Sequence, residues 1–406
     1  MAAAVTALAA PFLVLAFSAL LNQPDIPDAD RTSYSTEQVP HPGQQVPHPG
    51  QDSPGEQVLR EVLRSQRSLD DQVSFRLRRA IAEKFLRAAV SHLRRISPLF
   101  AGATLEHDGG AYEDTRVSNA ADFDMYTTLS GAPLRQFELQ RDGAGGFLVR
   151  LRPGANRGQL PEDLTDMLTE DGHLDAGRFR AWTTECVMYA LRETAEEQPE
   201  LRPVVYHTRG APGVNLTDFG SSSIEVDFTA KLPVPDSGDS ALRPAALRPC
   251  GTPVVPPDNR PVWYLYPATA SSQPGSFSGN TPQLELGLLR TQPLLRDVVR
   301  LLKTLRTLRD WQHRFGGTSF QLKQAAFWWR EAACAETRLL PATVGALRQL
   351  EGSLRRGYIA HFWFSAPTEN LLWRRVRAQQ LADEVAGLVE TLTSGDADAI
   401  RRLFQM

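Results

Sequence analysis

Residues Gly109 to Tyr126 read GGAYEDTRVSNAADFDMY, and the chemistry in this stretch is an acidic pair, Asp122 and Asp124, split by one apolar residue. The run ADFDMYTTL has the composition of a strand, where residues i and i+2 share a face. Asp122 and Asp124 then point one way, while Phe123 and Met125 point into a core. Two neighbouring carboxylates repel unless a cation lies between them. Oxygen ligands and hard charge favour Mg²⁺ or Mn²⁺. Such a pair suits two-metal activation of a hydroxyl that attacks a phosphate. That chemistry usually takes a third carboxylate, and SSSIEVDFTAKL supplies Asp227 on another strand-like run. Glu225 shares its face, either as a spare ligand or as an ordinary exposed residue.

Gly109 and Gly110 are separated from Asp122 by eleven residues. Without side chains they let the backbone approach a triphosphate with its amides as donors. Asp-Phe-Asp alone is common on solvated strands. Adjacent glycines, the acidic pair and a distant strand aspartate in this order resemble the pattern of the nucleotidyltransferase superfamily.

The rest of the chain must position these residues. Its 406 residues, 42% hydrophobic and 22% charged, are ordinary globular material. A net charge of −3 makes no global case for nucleic acid or membrane binding. Cys186, Cys250 and Cys334 form neither a disulfide framework nor a zinc motif, and read as free thiols in a reducing compartment. Residues 2–21 are almost wholly apolar, long enough for a membrane anchor but lacking the basic start of a signal peptide. Residues 22–57 form a Pro/Gly-rich linker with QVPHPGQ repeated in tandem. Helical periodicity runs from Glu56 to Leu99 and ends at Ser97-Pro98. Strands are expected at 121–129, 136–140, 147–152, 204–207, 214–218 and 223–232, with a helix over 176–196. Residues 233–260 read as a Pro-rich loop, and the chain is mostly helical from Gln283 onward. Trp311, Trp328 and Trp329 are expected to pack those helices.

Further motifs extend the likeness. GGAYEDTRVSNAADFDMY resembles the Gly-Ser-x-Tyr-Glu to Glu-Phe-Asp segment of cyclic GMP–AMP synthase and its animal relatives. IEVDFTAKLP is similar to that family's Ile-Ser-Val-Asp strand, and APGVNLTDFG to the strand before it. TSFQLKQAAFWW resembles its Ser-Ser-Tyr-x-x-Lys helix start, and YIAHFWFSAPTENLL its late Asn-Leu-Leu signature. The likeness spans roughly residues 58 to 380. It implies a bilobal α+β fold, with a nucleotidyltransferase core over 58–255 carrying a basic spine helix and a helical lobe over 256–406. It implies that Asp122, Asp124 and Asp227 hold Mg²⁺ or Mn²⁺. Gly109, Gly110 and Ser319 would contact phosphates, Lys303 would contact the nucleotide, and Phe320 would stack on a base. The expected activity joins ATP and/or GTP into a cyclic dinucleotide in innate immune sensing. Expected placement is cytoplasmic, with residues 2–21 left open between a membrane anchor, a cleaved signal and neither.

Several departures matter. Gly110 stands where close relatives have serine. Tyr264, Tyr266 and Ala268 stand where the synthase has an arginine and two serines that read the base. Its zinc insertion is missing, which points to a zinc-free receptor. The alternative is a catalytically inactive relative, of the male-abnormal or inositol-trisphosphate-receptor-interacting type, acting as a binding or scaffold module.

Two segments are strongly basic, 60–95 and 290–330. Either they are solvated helix faces or they bind a polyanion. In the second case Arg76, Arg79, Lys84, Arg87, Arg300 and Arg306 are the expected contacts. The resemblance to a zinc-free receptor implies double-stranded RNA rather than DNA as the activator, read by shape and backbone.

Overall fold

The computed structural model describes residues 52–405, apart from 71–72, 118–120, 144, 209–210, 218–222, 235–262, 268–274, 365–369 and 373–374. The apolar stretch 2–21 and the tandem repeat therefore lie outside the described residues.

The helical stretch expected from Glu56 divides into α1 (Pro54–Asp70) and α2 (Val73–Ile96), and the two serve different cores. On α2, Phe75, Ala82, Phe85, Leu86, Ala89, Val90 and Leu93 recur at helical spacing and pack against a sheet. On α1, Val58, Leu59 and Leu63 join the C-terminal helices instead. Glu56 of α1 accepts from the amides of Leu339 and Leu340 at 2.6 and 2.7 Å. A carboxylate thus caps another helix's N-terminus, where it meets free amides and a favourable dipole.

The sheet contains β1 (Leu105–Asp108), β2 (Ala121–Thr128), β3 (Phe137–Arg141), β4 (Phe147–Leu151), β5 (Val204–His207), β6 (Pro212–Thr217), β7 (Ser223–Pro233), β8 (Tyr264–Pro267) and β9 (Phe277–Asn280). Its order is β1-β2-β7-β8-β9-β4-β3, with β6 also on β7 and β5 on β6. The β2–β7 pair is parallel and the other pairs are antiparallel. Along β7, Ile224, Val226, Phe228, Ala230 and Leu232 are buried. They share a core with Phe123 and Met125 of β2, with α2, and with Phe179, Val187 and Ala190 of α3 (Ala176–Glu197). That alternation leaves Asp122, Asp124, Glu225 and Asp227 on the opposite face.

The C-terminal region is helical: α4 (Pro282–Thr291), α5 (Pro293–Leu308), α6 (Ser319–Ala332), α7 (Leu339–Arg356) and α8 (Arg375–Ser394), with short turns at Trp311–Phe315 and Ala397–Leu403. Trp311 and Trp329 are buried in its core, and Trp328 packs against it. The whole is an α+β arrangement of a mixed sheet and a helical C-terminal region.

Three expectations change. The boundary expected at 255/256 falls too early, because β8 and β9 pair inside the sheet and helices begin only at Pro282. Residues 58–70 belong with the helical core, since their apolar stripe faces α5 and α7. Cys186 is a buried free thiol, but Cys334 is disulfide-bonded. No helix among the described residues is long and apolar enough to cross a membrane.

Candidate active site

Strand register assembles the acidic face. Asp124 of β2 sits opposite Asp227 of β7 on one side and Asp108 of β1 on the other. Asp122 sits opposite Glu225. Three aspartates therefore form a row across three adjacent strands. Asp108 was not among the expected site residues.

Charge compensation in the row is uneven. Lys231, four residues beyond Asp227 on the same face of β7, reaches Asp108 at 2.7 Å and Asn280 at 2.8 Å. Its ammonium also lies 3.8 Å from the Tyr126 ring centroid. Burial would raise the Asp108 pKa, but Lys231 and Lys323 outweigh it and hold it below the usual carboxylate range. Asp122 and Asp124 have no such partner. Both side chains are open to solvent on one side. Loss of water and the neighbouring carboxylates push Asp122 up to about 6 and Asp124 to about 7. Asp227 is also raised by burial and Glu225, against a hydrogen bond from Tyr206.

The glycine turn lies beside this row. Gly109 has φ +73°, and a Cβ there would run into the Asp124 carboxylate. Glycine is thus required both for conformation and for space. Its amide donates to Asp108 Oδ1 at 2.8 Å. Residues 109–115 close a compact turn, in which Gly109 O accepts from the amides of Tyr112 and Glu113, and Gly110 O from that of Thr115.

Helices α4, α5 and α6 form the other wall. Lys323 Nζ of α6 donates to Glu113 and to Glu285 of α4, each at 2.6 Å. Burial would lower the Lys323 pKa, but Glu113, Glu285 and Asp108 hold it raised. Lys303 of α5 donates to Thr115 Oγ1 at 2.6 Å and lies 3.7 Å from Glu113 Oε2. Burial brings Lys303 down to about 8, against the pull of Glu113. Asp114, at φ +56°, is held by Arg296 at 3.0 Å and by Arg300. The glycine turn is therefore pinned to the helical region by two lysines and two arginines.

Between the walls lies a cleft of about 270 Å³, lined by Gly109, Gly110, Asp124, Asp227, Lys303, Lys323, Ser319 and Phe320 among others. Ser319 opens α6, whose N-cap Thr318 forms a capping box with Gln321. Phe320 is half-buried, with its ring edge-to-face on His361 at 5.6 Å. The expected aspartates, glycines, Lys303, Ser319 and Phe320 thus converge on one place. Asp108, Glu113, Lys231, Glu285 and Tyr206 were missed. Of these, Glu113 falls in the motif that carries the family likeness, while Asp108 adjoins the glycines but lies on a strand too short to show a period.

The polyanion contacts divide. Arg76, Lys84 and Arg87 are exposed on α2. Arg79 is half-buried, its guanidinium 4.4 Å from the Tyr112 ring centroid, and it pairs with Glu83 at 2.9 Å. Arg300 is not a surface contact: it is 0% exposed and engages Asp114. Arg306 is likewise turned inward, to Gly317 O and Gln312. Helical spacing placed both on a basic stripe, but the docked glycine turn and the 311–317 segment cover it.

A divalent cation suits this chemistry. The donor set is hard carboxylate oxygen, and burial and the neighbouring carboxylates outweigh the pull of Lys303 on Asp122 and Asp124. Among the described residues no group of three or more His, Cys, Asp or Glu side chains is arranged to hold a metal ion. Compared with known proteins, the chain matches no family model and no curated relative.

Proposed function

We propose that the protein is a nucleotidyltransferase that joins ATP and/or GTP into a cyclic dinucleotide and releases pyrophosphate. One observation carries this reading. Asp124 and Asp227 stand side by side on paired strands, with Asp122 two residues along on the same face, directly beside a glycine turn; Asp124 and Asp227 share a cleft with Lys303 and Ser319. Such a cleft offers phosphate donors on one wall and cation ligands on the other.

In this reading Asp122, Asp124 and Asp227 hold Mg²⁺ or Mn²⁺. Bound there, the ions would acidify a ribose hydroxyl and offset triphosphate charge. The amides of Gly109 and Gly110, the Ser319 hydroxyl and the start of α6 bind phosphate oxygens. Lys303 exchanges Thr115 for the triphosphate, a stronger partner for an ammonium. Phe320 offers a flat ring to a base. The ribose oxygen bonds to the α-phosphorus as the bond to pyrophosphate breaks, and a second turnover of the same kind closes the ring.

Polyanion control fits the links from α2 to the glycine turn. Glu83 pairs with both Arg79 and Arg87 and accepts from Tyr112 at 3.4 Å. Double-stranded RNA on Arg76, Arg79, Lys84 and Arg87 would compete with Glu83 for Arg79 and Arg87, the two arginines linked to Tyr112 of that turn directly or through Glu83.

A product assay tests the reading. The full chain is incubated with four labelled nucleoside triphosphates and Mg²⁺, with double-stranded RNA, double-stranded DNA or neither. The expected result is a phosphatase-resistant dinucleotide that needs one polyanion and is lost in Asp124→Asn. Nucleotide binding without product from folded protein would assign the cleft to a non-catalytic binding module.

A further inference from the structure

Tyr206 lies on β5, two strands away from the carboxylate it touches. It pairs with Gly213 of β6, and Gly213 pairs with Asp227 of β7, so the three residues form one row across the sheet. The phenol lies across the glycine. A Cβ on Gly213 would stand 2.5 Å from Tyr206 Cζ, 2.6 Å from its hydroxyl oxygen and 2.6 Å from Val226 O. A glycine inside a strand costs stability and marks a close approach. Here the approach is that of the tyrosine ring.

The hydroxyl has one proton, and its shortest contact is to Asp227 Oδ1 at 3.0 Å; Val226 O and Glu225 Oε1 are 3.4 and 3.5 Å away. A hydrogen bond to a carboxylate outweighs one to a neutral carbonyl. The other oxygen of Asp227 has no hydrogen-bond partner among the described residues.

We propose that Tyr206, seated on Gly213, is a positioning residue that fixes the Asp227 carboxylate and leaves its second oxygen free for a divalent cation. This rests on the reading of the acidic row as a cation site. The hydrogen bond favours the ionised carboxylate and restricts its rotation, so a cation meets a prepared ligand. Sequence reading placed 204–207 on a strand but could not show that its third residue reaches across a neighbouring strand.

Mn²⁺ binding, followed by the loss of the free-ion electron paramagnetic resonance signal without nucleotide, tests the proposal. Tyr206→Phe keeps the ring and should weaken Mn²⁺ binding about 10- to 100-fold, with thermal unfolding in chelator unchanged. Gly213→Ala, which keeps the hydroxyl but displaces it, should cause a similar loss. In an Asp227→Asn background, Tyr206→Phe should add nothing. Equal Mn²⁺ affinity in wild type and Tyr206→Phe overturns the proposal and leaves the cation reading standing. Absence of Mn²⁺ binding by the wild type overturns both.

Discussion

The two walls of the cleft solve the problem of charge differently. On the helical side, Lys323 sits between Glu113 and Glu285, and Lys303 lies on Thr115 beside Glu113. Every one of these charges has a partner at hand. On the sheet side, Asp122, Asp124 and Asp227 make no ion pair among the described residues: Asp122 and Asp124 feel the pull of Lys303 against the repulsion of the surrounding carboxylates, and Asp227 accepts from the neutral Tyr206. A satisfied network belongs to the fold, whereas an unsatisfied one is stable only because the fold imposes it. The contrast separates residues that hold the cleft together from residues that await a ligand.

The sharpest way to break this division is Lys323→Met. It leaves the buried Glu285 without its lysine and Glu113 with only Lys303, 3.7 Å away. Removing one partner of a buried charge network costs about 3–5 kcal/mol, read as a fall in the urea midpoint. A loss below about 1 kcal/mol would show that this wall is not structural.

Asp124→Asn should act in the opposite direction. It removes one charge from a self-repelling row and preserves shape. Stability of the cation-free protein should rise by about 1 kcal/mol, discounted because the side chain is open to solvent. Product formation should vanish. A destabilised variant would mean that Asp124 is held by contacts stronger than its repulsions.

The pH dependence sharpens the same point. Asp122 and Asp124 titrate near 6 and 7 in the folded protein, above the ordinary value of 3.8. The folded state then binds more protons than the unfolded chain between about pH 4 and 7. Their contribution to stability is full below pH 4 and is lost as pH rises through 6 and 7. In chelator, the gap in melting temperature between Asp124→Asn and wild type should open across that window in the variant's favour. Saturating Mg²⁺ should narrow it at pH 7.5. A gap independent of pH would remove the electrostatic account.

How much of this was legible depends on where the information sits. Asp122, Asp124 and Asp227 could be read because strand alternation is local, and Phe123, Val226 and Phe228 mark the buried face around them. Asp108 could not, because β1 has four residues, too few to show a period, and its place in the row is a matter of register. Glu113 and Lys323 are 210 positions apart, so neither sequence neighbourhood announces the other. The expected strands of the first lobe and the main C-terminal helices appear within a few residues of their predicted bounds. β8 and β9 were missed beside Pro- and Ser-rich sequence. Arg300 shows the limit of helical periodicity: spacing gives a face, but only docking decides whether another segment covers it.

The smallest effect tests the outer edge of the comparison, where α2 meets solvent. Arg87 pairs with Glu83 at 2.7 Å but is itself exposed. Exposed pairs of this kind contribute at most about 0.5 kcal/mol, so Arg87→Ser should scarcely move the melting temperature. If α2 carries the polyanion, the same change should weaken double-stranded RNA binding and lower the slope of log affinity against log salt by about 1. Arg300→Met gives the reverse pattern, because its guanidinium is buried on Asp114: stability falls, while the salt slope of the remaining folded protein stays as in wild type. Should Arg300→Met alter the slope and Arg87→Ser leave it unchanged, the nucleic acid would lie against the helical region rather than α2. The glycine turn would then have to open for binding to occur.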